Sequence, residues 1–176
     1  MNRDDAFENL CAAVDALEGV GVRAFLVDGT LLGAVREGDF IAHDTDIDLG
    51  VFISEHTPMI VLAMKRAGFT HERTLGRLNR GYELSFRRKG IRVDLFFYYK
   101  DATGFYHAAW VKRRTPIRYR YDRFSLAPLE FRGRTFLAPS PVEGFLVTKY
   151  GPVWRTPVVE WDWKWDPKNA QPWDAA

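Results

Sequence analysis

Asp44, Asp46 and Asp48 stand at alternate positions in the run His43-Asp44-Thr45-Asp46-Ile47-Asp48, and a further aspartate, Asp94, sits inside the apolar run Ile91–Phe97. On an extended chain alternate side chains point the same way, with alpha carbons about 6–7 Å apart. Carboxylates at that spacing repel, so the arrangement requires a cation, a shared proton or full solvation. Asp46 and Asp48 continue into Ile47, Leu49 and Val51, which argues against an open acidic loop. Oxygen-only ligands suit Mg²⁺ or Mn²⁺, and Mg²⁺ commonly combines a few carboxylates with substrate phosphates. An isolated Asp-x-Asp is as readily an acidic turn that ends a strand.

Upstream, Gly29-Thr30 falls where a short helix opens, so its backbone N–H groups could hold a phosphate; a plain strand-to-helix turn is the alternative. Arg36, about one helical turn past the glycine turn, is either a phosphate contact or a solvated helix-end arginine. The elements that must position these residues follow from periodicity. Phe7, Leu10, Cys11, Val14 and Leu17 trace a helix that Gly19 and Gly21 stop. Cys11 lies on its apolar stripe and reads as a packed thiol. Strands are expected over Arg23–Val27 and Ile47–Ile53, and a helix from Thr57-Pro58 to about Ala67. Tyr82–Arg88 and Ile91–Tyr98 form a hairpin over Lys89-Gly90, which puts Asp94 on the face opposite Ile91, Val93, Leu95 and Phe97. Further strand-like sequence runs from Phe105 to Arg123, and Phe131–Phe136 suggests another hairpin. Ser140-Pro141-Val142-Glu143 reads as an N-cap with a capping-box glutamate, opening a helix to about Tyr150. Five of the six tryptophans fall between Trp154 and Trp173, among prolines. Trp161 and Trp163 alternate as on a strand, either to stack on a base or sugar or to pack on the body. The expectation is an α+β fold: one domain over residues 1–176, a mixed sheet with flanking helices, and an aromatic, Pro-rich tail over 151–176.

With 176 residues, 27% charged and 47% hydrophobic, the composition excludes collagen, a coiled coil and wholesale disorder, and a single cysteine excludes a disulfide scaffold. No apolar run approaches the roughly 18–20 residues of a membrane span, and the acidic start lacks a signal-peptide pattern, so a cytoplasmic location is expected. The net charge of +2 hides a segregation: residues 1–55 carry 3 Lys and Arg against 12 Asp and Glu, residues 77–134 carry 15 against 5. An acidic site beside a basic one, or two solvated surfaces, would both give this pattern.

A Gly-[Ser/Thr] turn, an Asp-x-Asp on the next strand and a third aspartate on a later strand together resemble the polymerase-beta-like nucleotidyltransferase fold. The segment Asp28-Gly29-Thr30-Leu31-Leu32-Gly33 through Ile41, with Asp44-Thr45-Asp46-Ile47-Asp48-Leu49-Gly50, resembles the signature of the LicD/fukutin family. In the tail, Tyr150-Gly151, Trp154, Thr156-Pro157 and Trp161-Asp162-Trp163-Lys164, then Pro167 and Asn169, are similar to the C-terminal segment of fukutin. The likeness is dense at both ends and loose between residues 55 and 135.

The resemblance implies a phosphotransferase that moves a phospho-alcohol, such as phosphocholine or ribitol or glycerol phosphate, from a CDP-linked donor to a hydroxyl. The acceptor would be a glycan, a lipid-linked precursor or a small metabolite, and CMP would be released. It places Asp46, Asp48 and Asp94 as catalytic metal ligands for one or two Mg²⁺ or Mn²⁺ ions, with Asp44 an additional acidic position and Asp94 the chosen base. Gly29, Thr30 and Arg36 become the nucleotide-phosphate contacts; His43, Trp161, Trp163 and Lys164 become substrate contacts. Two departures bear on the pocket: Ala42-His43 replaces the family's common Pro-Trp, and Asp28 stands where glycine is frequent. The short chain leaves room for a partner subunit. Two other readings use the same residues differently: a nucleotidyltransferase releasing pyrophosphate, and a non-catalytic polyanion-binding module built on Arg87, Arg88, Lys89, Arg92, Lys112, Arg113 and Arg114. Nucleic acid is not an expected partner, since no recognition motif is present.

Overall fold

Around the apolar run that carries Asp94 the rest of the chain is arranged. The structure, a computed structural model, describes residues 1–111, 115–158 and 160–173; Lys112, Arg113 and Arg114 therefore lie outside the described residues. In chain order it contains α1 (Arg3–Glu18), β1 (Phe25–Leu26), α2 (Asp28–Arg36), β2 (Asp46–Phe52), α3 (Met59–Arg66), β3 (Thr70–Arg77) and β4 (Arg80–Arg88). There follow β5 (Ile91–Lys100), β6 (Phe105–Val111), β7 (Thr115–Tyr121), β8 (Ser125–Phe131), β9 (Arg134–Ser140), α4 (Val142–Tyr150) and β10 (Ala170–Pro172). Among the described residues the ten strands form one mixed sheet with the path β10-β7-β6-β5-β2-β1-β9-β8, and β3-β4 branches from β5. The α+β class and the mixed sheet agree with the expectation from sequence.

β5 pairs with three strands along its two edges: parallel with β2, antiparallel with β4, and antiparallel with β6 through Tyr99 and Lys100 only. Both faces of β5 are buried, so its sequence is nearly continuously apolar. Ile91, Val93, Leu95 and Phe97 fill one face under α1, and Phe96 and Tyr98 fill the other beside Asp94. The β4–β5 hairpin turns at Lys89 and Gly90, with φ of 51° and 76°, the twist that a two-residue hairpin needs. Arg132-Gly133 turns β8 into β9 in the same way, with φ of 50° and 80°.

Several elements differ from the sequence reading. Ser140 stays in β9, paired with Ser125, so α4 starts at Val142 with Pro141 at its N-cap and no side-chain cap. Pro58 likewise caps α3 rather than entering it. Trp161 and Trp163 are not on a strand: Asp162 and Asp166 close a tight turn there, in which the Asp162 N–H donates to Asp166 Oδ2 (2.6 Å) and the Asp166 N–H donates to the Asp162 carbonyl (2.9 Å). The tail then returns to the body as β10, antiparallel to β7.

The segregated charges turn out to be partners. Lys89 bridges Asp5 (2.8 Å) and Glu8 (2.5 Å) of α1, and Arg88 holds Glu8 and Asn9 (both 2.8 Å). Arg132 reaches Asp4 (2.6 Å), Arg134 reaches Asp15 (2.5 Å), and Arg87 holds Glu72. α1 itself starts on the Asn2 side chain, which accepts from the Asp4 and Asp5 N–H groups at 3.0 Å. Among the described residues no helix is long and apolar enough to cross a membrane.

Candidate active site

Asp28, the first residue of α2, has φ +48°, a left-handed conformation that turns the backbone sharply out of β1. Glycine adopts it without strain, which explains physically why glycine suits that position. The turn aims the Gly29 N–H at Asp48 Oδ2 (3.0 Å), while the Asp48 N–H donates to Thr30 Oγ1 (2.9 Å). Gly29 and Thr30 thus clamp Asp48 by its side chain and its backbone. A Cβ on Gly29 would overlap Asp44 Oδ2 and lie 3.3 Å from Asp48 Oδ2. Gly29 lines the cleft; Thr30, 1% exposed, lies beneath it and touches Asp48 rather than the open space.

Parallel pairing of β2 with β5 sets Asp46 opposite Arg92 and Asp48 opposite Asp94, on strands about 4.8 Å apart. Asp44, Asp46, Asp48 and Asp94 all line one cleft of about 520 Å³. Crowding and burial act on them together. Burial, then the Asp46 charge, pushes Asp44 up to about 7. Burial, then the charges of Asp46, Asp28, Asp44 and Asp94, raises Asp48 well above the carboxylate range. Asp94 is raised chiefly by burial, and burial with the Asp94 charge pushes Glu83 up to about 7. Arg92 relieves part of this: its Nε donates to Asp94 Oδ2 (2.9 Å) and its guanidinium binds Asp46.

Three observations fit these residues to a hard divalent cation. The donors are oxygens; Asp94 Oδ1 is buried with no hydrogen-bond partner; and the missing Cβ of Gly29 leaves room between Asp44 and Asp48. Among the described residues no three such side chains already surround a common point. Arg92 lies between Asp46 and Asp94 and holds their carboxylates to itself.

The opposite wall comes from α4 and the tail. Lys149, 5% exposed, forms an ion pair with Asp28, 9% exposed. Burial raises the Asp28 carboxyl, but the Lys149 ammonium outweighs it and holds Asp28 below its ordinary value. Arg36 lines the cleft with its side chain mostly enclosed, donating to the Trp154 carbonyl (3.3 Å) and to Glu37 (2.8 Å). His43 stands exposed at the rim. Trp161 lines the wall against Tyr150 (ring centroids 5.0 Å), and Tyr119 donates to the Trp163 carbonyl at 2.7 Å. Lys164 does not reach this cleft; it lies over the Trp163 ring and beside Asp162 in a separate shallow hollow.

Lys149, Glu83 and His107 line the cleft without having been singled out in the sequence, and Arg92 had been named only as part of the basic stretch. Lys149 had only the signal of a basic residue in a last helical turn, and its partner is 121 positions away, where no local pattern reaches. Arg92 had one clue, its place two residues before Asp94 on the same strand face.

A family model described as LicD/FKTN/FKRP, nucleotidyltransferase domain, matches residues 21–141. The mouse protein named ribitol-5-phosphate transferase FKTN is 33% identical over 172 residues, covering 97% of this chain and 37% of that protein. The human protein named ribitol 5-phosphate transferase FKRP is 31% identical over 146 residues, 79% of this chain and 30% of its own length. An uncharacterized Caenorhabditis elegans protein is 34% identical over 179 residues, 95% of this chain and 47% of its own. The chain thus spans less than half the length of these relatives. Its match to the family model runs from β1 through β9 and includes every carboxylate of the cleft, so the chain belongs to the LicD/FKTN/FKRP family.

Proposed function

We propose that the chain is a metal-dependent phosphotransferase of nucleotidyltransferase fold. It moves a phospho-alcohol from a CDP-linked donor to a hydroxyl of a glycan or related acceptor, and releases CMP. The observation that carries this reading is the in-register pairing that sets Asp48 beside Asp94 at the mouth of the Gly29 turn, in a family with members named for phospho-alcohol transfer.

Asp46, Asp48 and Asp94, with Asp44, would hold Mg²⁺ or Mn²⁺. When bound, the cation supplies charge neutralisation of the diphosphate and polarisation of its phosphoryl oxygens. The chain's own residues do the rest. The acceptor oxygen bonds to the phosphorus that bears the alcohol, the bond to CMP breaks, and CMP leaves with the electron pair. Asp94, raised by burial, takes the acceptor's proton. Arg92, freed from the carboxylates, and Arg36 meet phosphate oxygens. Reactions of this type depend mainly on positioning and charge, so no covalent nucleophile is required.

The test is incubation with Mg²⁺ or Mn²⁺ and a panel of CDP-alcohols, reading CMP release. The wild-type protein is expected to release CMP with at least one donor and an acceptor. Asp46→Asn, Asp48→Asn and Asp94→Asn should each lower that rate by at least about 100-fold. Transfer of a nucleoside monophosphate with release of pyrophosphate would replace this reading with the nucleotidyltransferase one. Arg87, Arg88 and Lys89 are already paired with acids of the same chain, which leaves the polyanion-binding reading without those three.

A further inference from the structure

Arg92 stands inside the acid cluster by backbone register alone. It is two residues before Asp94 on β5, so both side chains leave the same face of the strand, and the pairing with β2 sets it opposite Asp46. Its guanidinium spans the two strands: Nε donates to Asp94 Oδ2 (2.9 Å) and Nη2 binds Asp46. The Asp94 side chain is 5% exposed and the Asp46 side chain 19%, against 31% for Arg92. The arginine is thus the most open member of the trio, able to swing on its three-carbon stem.

The neighbouring cations are committed elsewhere. Lys149 is paired with Asp28, Arg36 with Glu37, and Arg87, opposite Arg92 on β4, is turned to Glu72 and the Gly90 carbonyl. The neighbouring acids are engaged too: Glu72 on β3 holds Arg87, and Glu83 on β4 lies 3.9 Å from Arg73. A guanidinium displaced from the cluster therefore meets no unpaired carboxylate on either strand. Yet one guanidinium does not satisfy the cluster, since Asp94 Oδ1 stays buried without a hydrogen-bond partner. A divalent cation and this guanidinium compete for the same oxygens, and the planar fork that fits carboxylates also fits a diphosphate. One side chain thereby links the binding of the two: the acids gain a metal most readily when the arginine gains a phosphate.

We infer that Arg92 is a built-in counter-cation: it bars the acid cluster to a divalent cation that comes alone and gives the cluster up when a diphosphate is present to receive the guanidinium. Metal and donor are then bound jointly, and the acids are not left open to metal between turnovers. The inference rests on the metal-dependent transfer reading above and adds to it how that site is armed.

The test is Mn²⁺ binding, followed by electron paramagnetic resonance of the free ion, to the wild-type chain, Arg92→Met, Arg92→Lys and Arg73→Met. Each is titrated with and without CDP, and the Mn²⁺ that CDP binds in protein-free solution is subtracted. Without nucleotide, Arg92→Met is expected to bind Mn²⁺ at least about 10-fold more tightly than the wild type, and Arg92→Lys, which keeps the charge but loses the fork, at least about 3-fold. Arg73→Met removes a charge from the same cleft without releasing Asp46 or Asp94, and should move the affinity by less than about 2-fold. CDP should strengthen Mn²⁺ binding at least about 10-fold more in the wild type than in Arg92→Met. Equal affinities of the wild type and Arg92→Met without nucleotide, a shift in Arg73→Met as large as that in Arg92→Met, or a gain from CDP that Arg92→Met does not reduce would each overturn the assignment and leave the transfer reading standing. If Arg92→Met fails to fold, Arg92→Lys decides by the same comparisons. Failure of every chain to bind Mn²⁺, with or without CDP, would overturn the assignment together with the reading beneath it.

Discussion

Gly29 and His107 show how much one side chain, or its absence, governs in this cleft. Alanine at position 29 would overlap Asp44 Oδ2 and crowd Asp48, while the helix around it has no reason to unfold. Such overpacking costs about 1–3 kcal/mol of stability, but a displacement of about 1 Å at a reacting centre costs roughly 100-fold in rate. Gly29→Ala is therefore expected to lose CMP release far out of proportion to its stability, as denaturation and assay of one preparation would show. His107 carries a pH signature. The unfolded chain protonates a histidine near 6.5, whereas the folded one refuses the proton until about 3. Stability is thus whole above 6.5 and falls as the pH drops toward 3, by about 1.4 kcal/mol per unit. Of the neighbours of His107, Asp28 is held below its ordinary value by the Lys149 ammonium, and burial raises Tyr98, Tyr119 and Tyr121 far above this window. Urea unfolding at pH 7 and pH 5 should show the wild type losing about 2 kcal/mol more than His107→Gln; equal losses would contradict the neutral buried ring.

At the scale of elements, two kinds of ion pair join parts distant in sequence. Lys149 on α4 and Asp28 on α2 are both buried. Lys149→Met would leave a carboxylate enclosed without a partner, and a loss of about 3–5 kcal/mol is expected, most of it recovered by adding Asp28→Asn. Lys89 is paired with Asp5 and Glu8 on the surface, and Lys89→Ala should cost less than about 1 kcal/mol. A double-mutant cycle compares the two directly. What could be read from sequence follows the same division. Period-two strands, the Lys89-Gly90 and Arg132-Gly133 turns and the alternating aspartates are local, and they occur where expected. β3 escaped because Thr70–Arg77 is largely exposed and polar, with no buried face to imprint an alternation. Ser140 carried every mark of a helix cap, yet its pairing with Ser125 keeps it in a strand. The Trp161–Trp163 alternation misled because Asp162 and Asp166 fold the chain back on itself there. Lys149–Asp28 had no local signal at all.

For the molecule as a whole, the near-neutral net charge is the residue of a long internal cancellation. Acids of α1 meet basic side chains of the β4–β5 and β8–β9 hairpins, which fastens the first helix to the sheet. A second group of acids, Asp28, Asp44, Asp46, Asp48, Glu83 and Asp94, gathers in the cleft. The site's central pair sits on β2 and β5, interior strands bonded on both edges. Amide protons there are expected to exchange with deuterium only when the entire chain opens, whereas those of the 160–166 turn exchange from small local excursions. The carboxylates would then keep their spacing up to the melting transition, and heat inactivation should coincide with global unfolding instead of preceding it. On the proposed transferase reading, a reacting edge as durable as the fold beside a more easily opened aromatic edge would let a bulky acceptor enter and leave without disturbing the geometry of transfer.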